Sequence, residues 1–280
     1  MAVQKLSKSI VQSDGVLVGD GILLGDRALR SDGVLVSDTA PFRLTDYAGI
    51  ATYRGKPIYN QQQVINQIDS GTRQPASNGT ITFSFLDGPT AIGLYNSPKY
   101  QALGVTENFG YSELSAAEKA VARQAMVLWD DLIPQKIVEK NGNGADIQFA
   151  NTTTGPAQAH AYYPGNGAKI LGDVWTADPS VNWTNAWLQY DGYGRTTLIH
   201  ESGHALGLSH PGNYNFGADT NGDGVPDPIT YAASAFYAQD SQQYTIMSYF
   251  GASATGGQPI NAALFIVGNP QTPLLDDILT

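Results

Sequence analysis

Three of the four histidines of this chain fall within one run, His200-Glu201-Ser202-Gly203-His204-Ala205-Leu206-Gly207-Leu208-Ser209-His210. If Thr196 or Thr197 opens a helix, His200 and His204 stand four apart, project from one face and can bring two imidazoles to a single metal ion. Gly207 can take the positive φ that stops a helix, which lets the chain turn and offer His210 as a third ligand. Three neutral imidazoles with one open position describe a catalytic zinc site. Glu201 lies one step round the helix, close to the ion without having to bind it. There a carboxylate can take a proton from water and return it to a leaving amine. Three incidental surface histidines are the competing explanation. The constrained positions of HExxHxxGxxH all agree, and a second signal follows in Tyr244-Thr245-Ile246-Met247-Ser248-Tyr249, which has the pattern of a Met-turn. Met247 is read as a hydrophobic floor beneath the imidazoles and not as a ligand.

Composition narrows the remaining chemistry. The chain has no cysteine among its 280 residues, so thiolate zinc sites, a cysteine nucleophile and disulfides are excluded, and a metal must be held by His, Asp, Glu or Tyr. A net charge of −10 without a Lys/Arg cluster argues against nucleic acid as a partner. The longest apolar stretches fall short of a membrane span, and the first residues lack the apolar core of a Sec signal. Only 14% of residues are charged while 31 are Gly and 15 are Pro, a balance that suits a turn-rich extracellular protein. A second cation site is expected in Asp219-Thr220-Asn221-Gly222-Asp223-Gly224-Val225-Pro226-Asp227. Oxygen donors recur there at every second position around a Gly turn, as in loops that wrap Ca²⁺, with Val225 at a backbone-carbonyl position. The Glu of a full EF-hand is missing, Thr230 standing in its place, and an ordinary polar turn is the alternative.

The elements that must position these groups are legible in part. Residues 1–44 carry a period of six, in SDGVLV from Ser13, GDGILL from Gly19, GDRALR from Gly25 and SDGVLV from Ser31. Six is a multiple of the strand period, so Val16, Val18, Ile22, Leu24, Val34 and Val36 share one side of any extended chain, with Asp-Gly pairs available as turns. From residue 45 to 280 the character is that of one globular domain. Asn60 can cap a short helix carrying Val64, Ile65 and Ile68 and ended by Gly71. Thr80–Leu86 alternates as a half-buried strand. The capping box Ser115/Glu118 opens a long helix with Val121, Ala125, Leu128, Trp129 and Leu132 on its apolar face up to Pro134. Asp146–Ala150, Gln158–Tyr163 and Ile170–Thr176 read as further strands. Helix and strand mixed in one region make the fold class α+β. Trp175, Trp183, Trp187, Tyr190 and Tyr193 are read as loop packing.

On the zinc helix, the Met-turn, Tyr193-Gly194-Arg195, the stretch from Gly155 to Gly165 and the terminal Pro273-Leu274-Leu275-Asp276-Asp277-Ile278, the chain resembles the serralysins, secreted metzincin zinc proteases of bacteria. The resemblance runs from about Gly49 to Thr280. It implies a metzincin catalytic domain with a twisted, mostly parallel five-stranded sheet and two long helices above the cleft. Residues 45–207 would form the upper subdomain and 208–280 a smaller lower one with the Met-turn. It further implies that Tyr249 is a zinc ligand at rest which swings away to hydrogen-bond the tetrahedral intermediate. The strand edge formed by Ala159, His160, Ala161 and Tyr162 would receive extended substrate. Type I secretion with its signal outside this chain, a proteinaceous inhibitor and a monomeric state belong to the same expectation; the family usually continues into a calcium-binding β-roll, and this chain stops before one. Ser202 departs from the family's usual apolar residue. The hexapeptide leader is longer than the usual propeptide; as a pro-segment it would offer Asp14, Asp20, Asp26, Asp32 or Asp38 as a zinc-blocking ligand, and a low-complexity leader without chemistry is the alternative.

Two other classes remain open from sequence. One is a surface-layer or matrix-binding module that keeps the fold with little turnover, against which the retained Glu201 speaks. The other is a zinc hydrolase of non-peptide amides, such as those of cell walls.

Overall fold

The computed structural model describes strand residues 11–12, 15–18, 21–24, 27–30 and 35–37, and residues 52–280 apart from 89–90, 103, 166–169, 216–223, 226, 258–259 and 262–265. Over the hexapeptide repeats the backbone folds back on itself at each unit. Strands β1 (Val11–Gln12), β2 (Gly15–Val18), β3 (Gly21–Leu24), β4 (Arg27–Arg30) and β5 (Leu35–Ser37) pair in chain order. The antiparallel register sets Leu17 opposite Ile22, Ile22 opposite Leu29 and Leu29 opposite Leu35. The side chains of Val16, Val18, Ile22, Leu24, Val34 and Val36, expected on one side of an extended chain, lie outside the described residues. The five leader aspartates weighed as zinc-blocking ligands lie outside the described residues.

Packing divides the chain into two compact units. One comprises Met1–Val64, Pro211–Tyr244 and Ser248–Pro259. It contains the hairpin β6 (Thr52–Tyr53) and β7 (Lys56–Pro57), which turns through Arg54 and Gly55 with φ of 49° and 77°. Its aromatic groups include the Tyr59–Tyr237 stack, with ring centroids 4.7 Å apart, and the cluster of Tyr214, Ala235 and Phe250. The other unit comprises Ile65–His210, Thr245–Met247 and Ile260–Thr280, so the Met-turn core and the chain's last residues pack with the zinc helix. Helix α1 (Gln61–Ile68) begins at Asn60, whose side chain accepts from the Gln63 amide at 2.9 Å.

The second unit is built on one sheet of β8 (Thr80–Phe85), β9 (Tyr111–Ser112), β10 (Lys136–Glu139), β11 (Ile147–Thr152), β12 (Ala159–Ala161) and β13 (Val174–Ala177). The order is β10-β8-β11-β13-β12, with the two-residue β9 added beside β11. Three neighbouring pairs are parallel, while β12 with β13 and β9 with β11 are antiparallel. The sheet is thus mixed: a path of five strands with the two-residue β9, too short to show a period in the sequence, added as a sixth. Strand β10 was not read from sequence, since it is a largely exposed edge on which only Ile137 is half-buried.

Alternation places the two cores. Ile81, Phe83, Phe85, Ile147, Phe149 and Val174 face helix α3 (Ala116–Asp130) and helix α4 (Tyr193–Leu206), meeting Val121, Ala122, Met126, Leu198 and Ala205. Ala150 and Trp175 point to the opposite face, against Leu86, Tyr95, Tyr100, Val105 and Ile170. The short helix α2 (Pro98–Gln101) belongs to that second layer. Helix α3 has the expected capping box: the Ser115 amide donates to Glu118 Oε2 at 2.7 Å, and the Glu118 amide donates to Ser115 Oγ at 3.2 Å. Ser115→Ala is expected to cost about 1 kcal/mol of stability, read as a lower urea midpoint at unchanged slope.

Helix α4 starts earlier than Thr196 or Thr197. It opens at Tyr193 behind Gly192, and the two threonine hydroxyls donate back to Gly192 O at 3.3 Å and Tyr193 O at 3.0 Å. Its glycines are steric requirements. A Cβ on Gly192 would lie 2.1 Å from Trp187 O, and one on Gly194 would lie 2.4 Å from Asn185 O. Among the described residues no helix is long and apolar enough to cross a membrane.

Candidate active site

The zinc helix carries His200 and His204 on one face, and the chain beyond it is stitched down so that His210 returns to them. Gly207 ends α4 with φ 124° and its amide donates to Gly203 O at 3.1 Å. The Ser70 amide donates to Gly207 O at 3.1 Å, and the Ser209 amide donates to Ile68 O at 2.6 Å. These bonds fix the path of the three residues before His210. The result is a cluster in which one ligand atom from each of His200, His204 and His210 lies within 4.8 Å of the others.

The tautomers follow from the outer bonds. His200 Nδ1 faces Ile246 O at 2.8 Å and His204 Nδ1 faces Leu208 O at 2.6 Å, so both Nδ1 atoms carry the proton and both Nε2 atoms carry lone pairs. Those lone pairs point at His210 Nε2 from 3.2 Å and 3.0 Å. A single N–H on His210 can satisfy only one of them. Nitrogens held at about 2.0–2.1 Å round a tetrahedral zinc stand about 3.3 Å apart, so the cluster needs only a small relaxation to take the ion. Burial lowers the His200 imidazole to about 4 and pushes His204 well below its usual value, aided by the charge of its histidine neighbours. Both rings are therefore neutral, as ligands must be, at ordinary pH.

Glu201 is 5% exposed, its Oε2 has no protein hydrogen-bond partner, and burial raises its carboxyl to about 8. An orphaned acid beside three converging imidazole nitrogens is what a cation and a water would satisfy. Tyr163 packs its ring edge-on to His204, with centroids 5.6 Å apart, and its phenol is raised by burial and by the Glu201 charge. Burial and the same charge raise Tyr193. Neither tyrosine was picked out for this role from sequence, because neither lies in a spacing motif.

The floor of the site is a close contact. Met247 is fully buried, and a Cβ on Gly203 would come 2.8 Å from its Sδ and 3.0 Å from Trp129 Cζ2. Trp129 Nε1 donates to Ile199 O at 3.0 Å, tying α3 to the zinc helix. Ser202 is also fully buried and donates to Leu198 O at 2.7 Å, so the departure from an apolar residue leaves no unsatisfied hydroxyl.

Asp277 escaped the sequence reading because its partners are distant in the chain. It lies on helix α6 (Leu275–Leu279), where α5 is Tyr231–Ser234 of the other unit. It accepts from Thr245 Oγ1 at 2.5 Å, from the Ile246 amide at 2.8 Å and from the Leu274 amide at 2.7 Å. Since Ile246 O is the acceptor for His200, Asp277 braces a zinc-site imidazole through the backbone of one residue. Asp277→Asn turns an amide N–H₂ toward one of these donors. It should cost about 2–3 kcal/mol and weaken zinc retention about 10–100-fold, measured by thermal melting and chelator competition.

Strand β12 ends the sheet. Gln158 O accepts from the Ala177 amide at 2.8 Å, while Tyr162 bonds Asp173 and Gly172 through its N–H and C=O at 2.9 Å each. In an antiparallel pair alternate residues bond the partner, so Ala159 and Ala161 direct their peptide groups to the open side. His160 and Tyr162 sit on the Trp175 face, where both reach Glu107 Oε1, at 2.7 Å and 2.6 Å. Glu107 is held down to about 2 by His160 and Tyr162 against the opposing effect of burial. His160 is therefore engaged in anchoring the strand.

The remaining expected residues are placed as follows. Tyr249 belongs to the first unit, is 39% exposed and packs on Tyr214 with centroids 5.0 Å apart. Of the segment expected to bind a second cation, Asp219, Asn221 and Asp223 lie outside the described residues, while Gly224 has φ 84° and Val225 is exposed. The aromatic segment differs from its reading as loop packing: Trp175 is buried, but Trp183, Trp187, Tyr190 and Tyr193 are exposed.

Protein-family models yield no match to the chain. It is 34% identical over 243 residues to Metallopeptidase AprA of Pseudomonas marginalis, covering 84% of this chain and 47% of that protein. It is 33% identical over 227 residues to Serralysin of Proteus mirabilis, covering 75% and 43% of the two. With Serralysin G of Dickeya chrysanthemi it shares 32% identity over 219 residues, covering 72% and 41%. The chain thus spans under half the length of these relatives. With these relatives matched over most of its length, and with the HExxHxxGxxH histidines converging, the chain belongs to the serralysin family of metalloproteases.

Proposed function

We propose that the chain carries the hydrolytic site of a secreted zinc endopeptidase with a metzincin arrangement of zinc helix and Met-turn. The observation that carries this reading is the three converging Nε2 atoms beside the orphaned Glu201 carboxyl. His200, His204 and His210 would hold zinc, which when bound acidifies water and polarises a carbonyl. Glu201 takes a proton at Oε2 and delivers it to the departing amine, a role that such groups fill with a contribution of about 10²–10⁴-fold. Tyr249 donates its phenol hydrogen bond to the oxygen on which charge develops. Met247 and Gly203 keep the helix seated on its floor.

An extended polypeptide pairs with the open side of Ala159 and Ala161, while His160 and Tyr162 stiffen that edge through Glu107. Backbone pairing of this kind accepts many sequences. The loop from Asp219 through Asn221, Asp223 and Val225 to Asp227 takes Ca²⁺ in this reading, and export by type I secretion, a monomeric state and control by a proteinaceous inhibitor go with it.

Casein hydrolysis tests the reading. Stripping the metal with a chelator should abolish turnover, and one equivalent of zinc should restore it. A zinc-loaded chain that binds peptides without cutting them would favour the binding-module alternative, and one that cuts only non-peptide amides would move the substrate class.

A further inference from the structure

Residues 179–190, Pro-Ser-Val-Asn-Trp-Thr-Asn-Ala-Trp-Leu-Gln-Tyr, contain no charged side chain, yet Val181, Trp183, Trp187 and Tyr190 all project into solvent. Trp183 is 64% exposed, Tyr190 75% and Val181 58%. Trp183 and Trp187 meet edge to face with centroids 4.5 Å apart, which holds both rings in place without burying them. Exposed aromatics on a fixed frame mark contact surfaces more often than packing.

The frame ties this patch to the substrate edge. Asn182 Nδ2 donates to Ala157 O and to Gln158 Oε1, each at 2.6 Å, and Asn185 Nδ2 donates to Gln158 O at 3.0 Å. Gln158 Nε2 in turn donates to Thr197 Oγ1 on the zinc helix at 3.1 Å. At the other end of the segment the Arg195 amide donates to Trp187 O at 3.2 Å. The aromatic loop is therefore continuous with the start of β12 and with the first turn of α4.

Position along the helix sets the distance. Tyr193 precedes His200 and His204 by seven and eleven residues, on the same face, and seven residues of helix span about 10 Å. An extended peptide covers about 3.3 Å per residue, so the start of α4 lies about three residues from the scissile bond and the patch bonded to that turn follows just beyond it. In the more stable antiparallel pairing, a peptide along β12 runs from the Tyr163 end toward Gln158, which puts the patch on the C-terminal side of the cut.

We propose that Trp183, Trp187 and Tyr190 form a subsite for a large apolar side chain of the polypeptide substrate, about four residues C-terminal to the bond that is cut. This rests on the endopeptidase reading. The subsite gives an otherwise sequence-tolerant edge a preference far from the zinc.

The test uses quenched fluorogenic peptides with one cleavable core and a single Trp or Gly at each position from two to six residues after the cut. For wild type the Trp-to-Gly ratio of kcat/KM should peak at about tenfold near the fourth position, carried by KM. In the double variant Trp183→Ser with Tyr190→Ser the ratio should collapse toward one, and Trp183→Phe with Tyr190→Phe should recover most of it. A flat profile in wild type, or a preference that survives the double serine variant, overturns the subsite. The same peptides titrated onto zinc-loaded Glu201→Gln by fluorescence anisotropy separate the two claims. Discrimination in binding with no hydrolysis by wild type would sink the endopeptidase reading and keep the subsite, whereas hydrolysis without discrimination would do the reverse.

Discussion

Replacing Glu201 by glutamine is expected to lower kcat for peptide hydrolysis by about a hundred- to ten-thousandfold while leaving zinc bound. Glutamine keeps the shape and the buried contacts but cannot accept the proton that the carboxylate takes at Oε2. A second consequence separates the charge from the shape. In the zinc-stripped protein burial raises Glu201 to about 8, against an ordinary value of 4.5. Between those values the folded chain holds a proton that the unfolded chain has released, so folding stability falls as pH rises through the window. Glutamine has no such proton. The zinc-stripped variant should therefore gain on wild type from the acid to the alkaline end of the window, by an amount on the order of a few kcal/mol. Urea unfolding at the two ends reads the difference, and taking the difference cancels the other buried acids, Asp173 and Asp276, which are also raised to about 8. Equal stability differences at both ends would mean that Glu201 is not buried as described.

Gly207→Ala is the second large effect. The residue has φ 124°, a conformation that strains any L side chain, and a Cβ there would meet Thr72 O at 2.2 Å. Relief requires the turn to open, which breaks the bonds holding residues 207 and 209 to residues 68 and 70 and moves His210 off the Nε2 cluster. Zinc retention should fall about 10–100-fold, since small displacements of a ligand's support have effects of that size. Competition with a graded chelator measures it. Unchanged retention would show that His210 is positioned by something other than this turn.

How much of this was legible in the sequence depends on the range of each contact. The meeting of His200, His204 and His210 could be read because helix spacing and one glycine govern it. The box at Ser115 and Glu118 was equally local. The start of α4 was misplaced at Thr196 or Thr197 because Gly192 and Gly194 look like turn residues, and only the nearby backbone of Trp187 and Asn185 explains them. Strand β10 lacks a buried face and so lacks a period. Asp277 reaches the Met-turn, and Glu107 reaches His160 and Tyr162, across sequence gaps that no local pattern encodes. The exposure of Trp183 and Tyr190 was misread for a different reason: aromatic character reports what a side chain can bury and not whether the fold covers it.

The central claim is that three imidazoles hold one zinc ion and that Glu201 does the proton work beside it. Zinc per chain by elemental analysis, taken with casein hydrolysis on the same samples of wild type, Glu201→Gln and His204→Ala, tests it most directly. The account predicts one zinc in wild type and in Glu201→Gln, its loss in His204→Ala, and hydrolysis in wild type alone. Zinc absent from wild type, or stoichiometric zinc retained in His204→Ala, would contradict the site.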